Sequence, residues 1–153
     1  MSQTLLIHAT AVAILTVAGP RAVLLRGPSG SGKSDLALRL IDAGAQLIAD
    51  DQSELHRRDG LVVVRAPPAI AGLIEVRGIG IVRVEPLAEA PLGLIADLLP
   101  PEMIERLPRR ATERLLEIEL PRIAVAPFEA SAAAKVALTL RAFAGPALPV
   151  MME

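Results

Sequence analysis

The 153 residues carry 16 Lys and Arg against 17 Asp and Glu, a formal net charge of −1, so no global field draws the chain to nucleic acid or to an anionic membrane. Hydrophobic residues make up 52%, which points to a folded chain, and the length suits one domain, 1–153, with a core of its own. There is no cysteine, and Phe128 and Phe143 are the only aromatics; this removes disulfides, thiolate zinc sites, a cysteine nucleophile and the aromatic rows of single-stranded nucleic-acid binders.

The opening stretch, "MSQTLLIHATAVAILTVAG", lacks a basic leader and carries His8 inside its apolar run. Neither a signal peptide nor a membrane span is expected, and the cytoplasm is the expected compartment. From Leu5 to Val17 the residues are small and β-branched; "AGPRA" (18–22) reads as a turn and "AVLLR" (22–26) as a buried strand. Over 33–43, Leu36, Ala37, Leu40 and Ile41 form a helical stripe, and Gly44 suits its stop. "AQLIADD" reads as a strand ending in Asp50 and Asp51, and "SELHRRDGLVVVRA" as a hairpin about Asp59-Gly60.

"APPAIAGLIEVRGIGIVRVE" reads as a proline-marked loop, a short segment and a strand broken by Gly78 and Gly80, where a bulge or close backbone approach is expected. "PLGLIADLLP" reads as a strand, and "PPEMIERLP" as a short helix with proline at its start. "ERLPRRATER" (105–114) reads as a charged helix face, and "LEIELPRIAVAPF" as extended, with Pro121 at an edge or bulge. "SAAAKVALTLRAFAG" closes the chain as a helix capped by Ser131 and stopped by Gly145.

One stretch carries chemistry. Gly27-Pro28-Ser29-Gly30-Ser31-Gly32-Lys33-Ser34 fits the phosphate-loop pattern and lies between an apolar run and an amphipathic helix, the context that pattern requires. Its glycines let successive N–H groups point inward at phosphate oxygens, and the following helix adds its positive end. Lys33 can bridge terminal phosphates, and the Ser34 hydroxyl can ligate Mg²⁺. In a parallel strand–helix–strand unit the Asp50-Asp51 pair would end beside this loop. Neighbours on a strand face opposite ways, so one of the two acids is expected to face the phosphates, or the pair is a solvated turn. With no asparagine in the chain, the Asn-Lys-x-Asp guanine-reading motif is excluded. Phosphoryl transfer, ATP hydrolysis coupled to motion and nucleotide sensing remain open.

Four stretches together resemble the HPr kinase/phosphorylase family: "IHATAVAI", "GPSGSGKSDLALRLIDAGAQLIADD", "IEVRGIGIV", and more loosely "IERLP" with "LPRIAVAP". The resemblance implies an α/β P-loop domain of the type shared with phosphoenolpyruvate carboxykinase, with mixed β-sheets. It corresponds to the family's catalytic domain, without the N-terminal domain of longer members. It implies an ATP- and Mg²⁺-dependent protein serine kinase acting on an HPr-like phosphocarrier of the phosphotransferase system, assembled as a homo-oligomer, in the family a hexamer. Neither nucleic acid nor membrane is implied as a partner. By the same resemblance Lys33 holds phosphates, Asp51 exchanges a proton with the acceptor hydroxyl, His8 tunes Asp51, and Arg106 is catalytic. Ser34, Asp50 and Glu75 would hold the metal. Without the resemblance, His8 reads as a packed strand histidine, Glu75 and Arg77 as an exposed strand with an ion pair, and His56 as a polar strand position.

The chain departs from the family where Pro-x-Arg-Pro-Gly-Arg usually precedes the last helix. Here "APFEASAAAKV" has Glu129 and uncharged residues in place of both arginines. Phosphorylase activity is therefore expected to be weaker than kinase activity. The alternatives are a small-molecule kinase with "ERLPRRATER" as its Arg-rich lid, and a nucleotide-sensing module without transfer.

Overall fold

In the computed structural model, residues 3–145 are described. The chain begins with β1 (Thr4–Ile7), β2 (Ala9–Thr16), β3 (Gly19–Arg26), α1 (Lys33–Asp42) and β4 (Gln46–Ala49). Next come β5 (Ser53–Arg58), β6 (Leu61–Arg65), β7 (Leu73–Val76), β8 (Gly80–Arg83) and β9 (Glu89–Leu98). β10 (Ala111–Leu115), β11 (Ile118–Val125) and α2 (Ala132–Phe143) complete it.

Among the described residues nine strands share one curled sheet, with β7 and β8 as a separate hairpin. The curl comes from strands that change neighbours along their length. β9 pairs antiparallel with β6 through Glu89–Pro91, then runs parallel to β3 on one side and to β11 on the other. The N-terminal run splits at His8, so that β1 pairs with β5 while β2 lies between β3 and β4. β2 and β3 bury side chains on both faces, as interior strands do. Val12, Val23 and Leu25 face α1 and α2, while Ala11, Ala22 and Leu24 face the curled part of the sheet with Leu55 and Val64. Gly93 of β9 lies under α2, where a Cβ would come within 2.7 Å of Leu140.

α1 ends as its sequence predicts: Gly44 adopts φ +110, and the Ala45 N–H reaches back to the Leu40 carbonyl at 3.0 Å. Asp59 and Gly60 both have positive φ, the geometry of a tight two-residue hairpin. Other expectations are corrected. β3 starts at Gly19, so the turn before it is Val17-Ala18 rather than 18–22. β3 and β4 are both antiparallel to β2, which separates them, so the crossover through α1 does not join adjacent parallel strands. Gly78 and Gly80 serve a hairpin turn, not a bulge, and nothing crowds either.

"PPEMIERLP" forms only a 3-10 turn at Pro101–Met103, because Pro108 disfavours helix at the residue before it and the segment has no apolar stripe to bury. The charged segment before Glu117 is not a helix face: Ala111–Leu115 is a strand paired with β11. Ser131 occupies the N-cap of α2, but its hydroxyl makes no capping bond. Among the described residues no helix is long and apolar enough to cross a membrane.

Candidate active site

Gly27–Gly32 lead from β3 into α1 as a tight loop. A Cβ on Gly27 would lie 2.4 Å from Ser31 Oγ, so this closeness admits only glycine. Gly32 sits at φ +99, and a Cβ there would meet Phe128 Cζ at 2.9 Å. The buried Lys33 side chain folds back into the loop, its ammonium donating to the carbonyls of Gly27 at 2.7 Å and Pro28 at 3.1 Å. The buried Ser31 hydroxyl has no partner. Above the loop opens a cleft of about 280 Å³, bounded by Ser29, Gly30, Gly32, Lys33 and Ser34, and across from them by Asp51 and Glu75. A glycine-lined concavity with one buried ammonium suits a polyphosphate.

Asp51 reaches this cleft because β4 ends at Ala49. Asp50 and Asp51 lie on a bend, with Asp51 at φ +67 and the Gln52 N–H bonded to the Asp50 carbonyl at 2.8 Å. Strand alternation is broken there; Asp51 lines the cleft, while Asp50 does not and instead bonds residues around it. Asp50 accepts from Ser34 Oγ at 2.7 Å and from Thr10 Oγ1 at 3.0 Å through one oxygen, and from the Glu75 N–H at 3.0 Å through the other. Asp51 Oδ1 lies 2.6 Å from His8 Nε2 and 3.7 Å from Lys33 Nζ. His8 is not packed within a strand: it occupies the bend between β1 and β2 and is half exposed. The two chain bends, at His8 and at Asp51, thus come together where the sheet changes direction.

Glu75, on β7, lines the same cleft, but Arg106 does not. Arg106 borders a second pocket of about 390 Å³, with Ala126, Glu129 and Lys135. Among the described residues no group of three or more His, Asp or Glu side chains converges on a metal position. On the cleft wall the Ser34 hydroxyl and the Glu75 carboxylate, with Asp50 bonded to Ser34, suit Mg²⁺, which takes one or two carboxylates and completes its shell with phosphate and water.

Three features were not singled out from sequence. Thr10 is fully buried yet bonds both acids, donating to Asp50 and accepting the Asp51 N–H at 3.0 Å. Arg26, immediately before the loop, forms paired bonds to Asp97 (2.7 and 3.1 Å) and to Glu113 (2.6 and 2.7 Å). Arg122 joins Glu113 at 3.2 Å. The Glu113 bonds, then those of Asp97, hold the Arg26 guanidinium above its ordinary pKa, and the Arg26 bonds hold the Glu113 carboxyl below its own. Phe128 is the third, an aromatic at the cleft mouth. The signals were weak: a threonine in an apolar strand, and an arginine ending one.

The sequence pattern of the HPr Serine kinase C-terminal domain family matches residues 1–90. HPr kinase/phosphorylase from Lacticaseibacillus casei is 35% identical over 115 residues, 67% of this chain and 36% of that protein. The protein of the same name from Geobacillus thermodenitrificans is 33% identical over 137 residues, 82% of this chain and 43% of its own length. The chain therefore spans less than half of either relative. The solved structure of the Hpr(Ser) kinase/phosphatase from Coxiella burnetii superposes with a TM-score of 0.74 at 28% identity, covering 90% of this chain and 93% of that one. Sequence pattern and mixed α/β fold agree, and the chain belongs to the HPr Serine kinase C-terminal domain family.

Proposed function

We propose that this chain is a single catalytic domain of an ATP- and Mg²⁺-dependent protein serine kinase, cytoplasmic and homo-oligomeric, whose acceptor is an HPr-like phosphocarrier. The observation that carries this reading is the position of Asp51. Its carboxylate stands 3.7 Å from the Lys33 ammonium and 2.6 Å from His8, on the wall of a glycine-floored cleft.

In this reading the loop N–H groups and the start of α1 hold the phosphates. Lys33, tethered by two loop carbonyls, offers a point charge to the transferring end. Ser34, Asp50 and Glu75 would hold Mg²⁺, which would supply charge neutralisation to the phosphates. The acceptor serine hydroxyl enters beside Asp51. Its oxygen bonds to the terminal phosphorus as the bond to the departing ADP oxygen breaks, and its proton passes to Asp51. His8, at the same oxygen that faces Lys33, holds the carboxylate in place. Arg106, in its separate pocket, is assigned no step.

Incubation with ATP, Mg²⁺ and HPr should give acid-stable phosphoserine; no transfer would overturn the reading. Asp51→Asn should lower kcat by about 10²–10⁴, the usual contribution of a positioned base, with ATP affinity retained by calorimetry. Undiminished turnover in that variant would remove Asp51 from the proton's path.

A further inference from the structure

The two aromatic rings are placed unequally. Phe143 packs against the core beneath α2, whereas Phe128 is 72% exposed and lines the phosphate cleft. An exposed ring forgoes roughly 1.5–3 kcal/mol of burial, yet this one is fixed in place. Its edge lies over Gly32, which has no side chain to displace it, and Pro127 packs against the same point. Arg39 of α1 donates to the carbonyl of Pro127 on one side of the ring and, at 3.3 Å, to that of Glu129 on the other. Arg39 is in turn held by Asp35 at 2.9 Å. The helix that starts at the phosphate loop thus holds the backbone on both sides of the ring.

The polar chemistry of the cleft is concentrated at Lys33, Ser34, Asp51 and Glu75. Apart from Ser29, the loop glycines and Asp35, which is paired with Arg39, the remaining wall is apolar or stacking surface: Leu38, which is exposed, Val76, the Arg77 side chain and Phe128. Phosphate has no use for such a wall, but a flat heteroaromatic ring does.

Resting on the kinase reading above, we propose that Phe128 is the stacking platform for the purine of the bound nucleotide, making this wall the base subsite. The ligand class is a purine nucleoside triphosphate, recognised by its ring face and not by its base edge.

Calorimetry with ATP and with inorganic tripolyphosphate, each with Mg²⁺, tests this on the wild-type chain, Phe128→Ala and Phe128→Trp. Because Phe128 is exposed, both variants should fold, which circular dichroism checks. Phe128→Ala should weaken ATP by about tenfold, equivalent to about 1.4 kcal/mol, and leave tripolyphosphate unchanged. Phe128→Trp should keep wild-type affinity, and its fluorescence, the sole indole signal in a chain without tryptophan, should change with ATP but not with tripolyphosphate. Unchanged ATP affinity in Phe128→Ala overturns the proposal and leaves the kinase reading standing. Equal weakening of both ligands also overturns it, because the ring would then act only on the loop. A wild-type chain that binds neither ligand overturns both readings.

Discussion

Asp51 is a non-glycine residue held at φ +67, a conformation that costs about 1–2 kcal/mol unless its surroundings enforce it. Thr10 helps enforce it. One fully buried hydroxyl accepts the Asp51 N–H and donates to the Asp50 carboxylate, so a single atom sets the backbone of one acid and the side chain of the other. Thr10→Val keeps the shape and removes both bonds. We expect it to lower kcat at least tenfold while leaving ATP affinity within about twofold, and to destabilise the chain by about 1–3 kcal/mol, the cost of stranding a buried polar group. Thr10→Ser should restore turnover. Steady-state kinetics and urea unfolding check this; a Val variant that unfolds more easily but turns over normally would reduce Thr10 to a structural residue. No local signal marks Thr10, because threonine in an apolar run reads as an ordinary β-branched strand residue. Its partners lie 40 and 41 positions away.

The Gly27–Gly32 loop is braced at both ends. Behind it, Arg26 ends β3 and is gripped by Asp97 of β9 and Glu113 of β10; ahead of it, α1 is tied through Arg39 to the segment holding Phe128. The Glu113 carboxyl is held below its ordinary value, first by its bonds to Arg26. A depressed carboxyl pKa stabilises the fold fully above the unfolded value, about 4.3, and loses that contribution as pH falls through the lowered folded value. Glu113→Gln should therefore destabilise the chain by roughly 1–2 kcal/mol at pH 7, and the difference from wild type should shrink under acid below pH 4. Urea midpoints at pH 7 and pH 3 measure it; an equal gap at both would separate the bridge from acid stability. The loop and α1 were readable because glycine spacing and helical periodicity are local. β10 was not, because its turn, Leu116-Glu117, takes positive φ at both residues without a glycine to announce it. The charges of "ERLPRRATER" likewise mark no strand until Glu113 meets Arg26.

Across the molecule, the sheet curls because β9 and the β1–β2 run each serve two sets of neighbours, and the site lies where the second of these switches occurs. The segment that departs from the family pattern abuts this site. Phe128 lines the cleft, while Glu129 pairs with Lys135 at 3.0 Å and so neutralises the cation nearest to it in that segment. An anion reaching this turn meets no free arginine within "APFEASAAAKV". We expect phosphorolysis of phosphoserine-HPr, followed as pyrophosphate release with added phosphate, to run at least tenfold slower than the forward kinase reaction. Comparable rates would show that the missing arginines are not needed. The glycine loop, the helix behind it and the hairpin at Asp59-Gly60 could all be read from the residues alone, since each rests on contacts within a few positions along the chain. The bend that brings Asp51 into the cleft, the hydroxyl that clamps both acids, the bridge gripping Arg26 and the ring over Gly32 could not. Each joins residues brought together by strand pairing or helix packing, and those partners are chosen by the burial of two sheet faces at once.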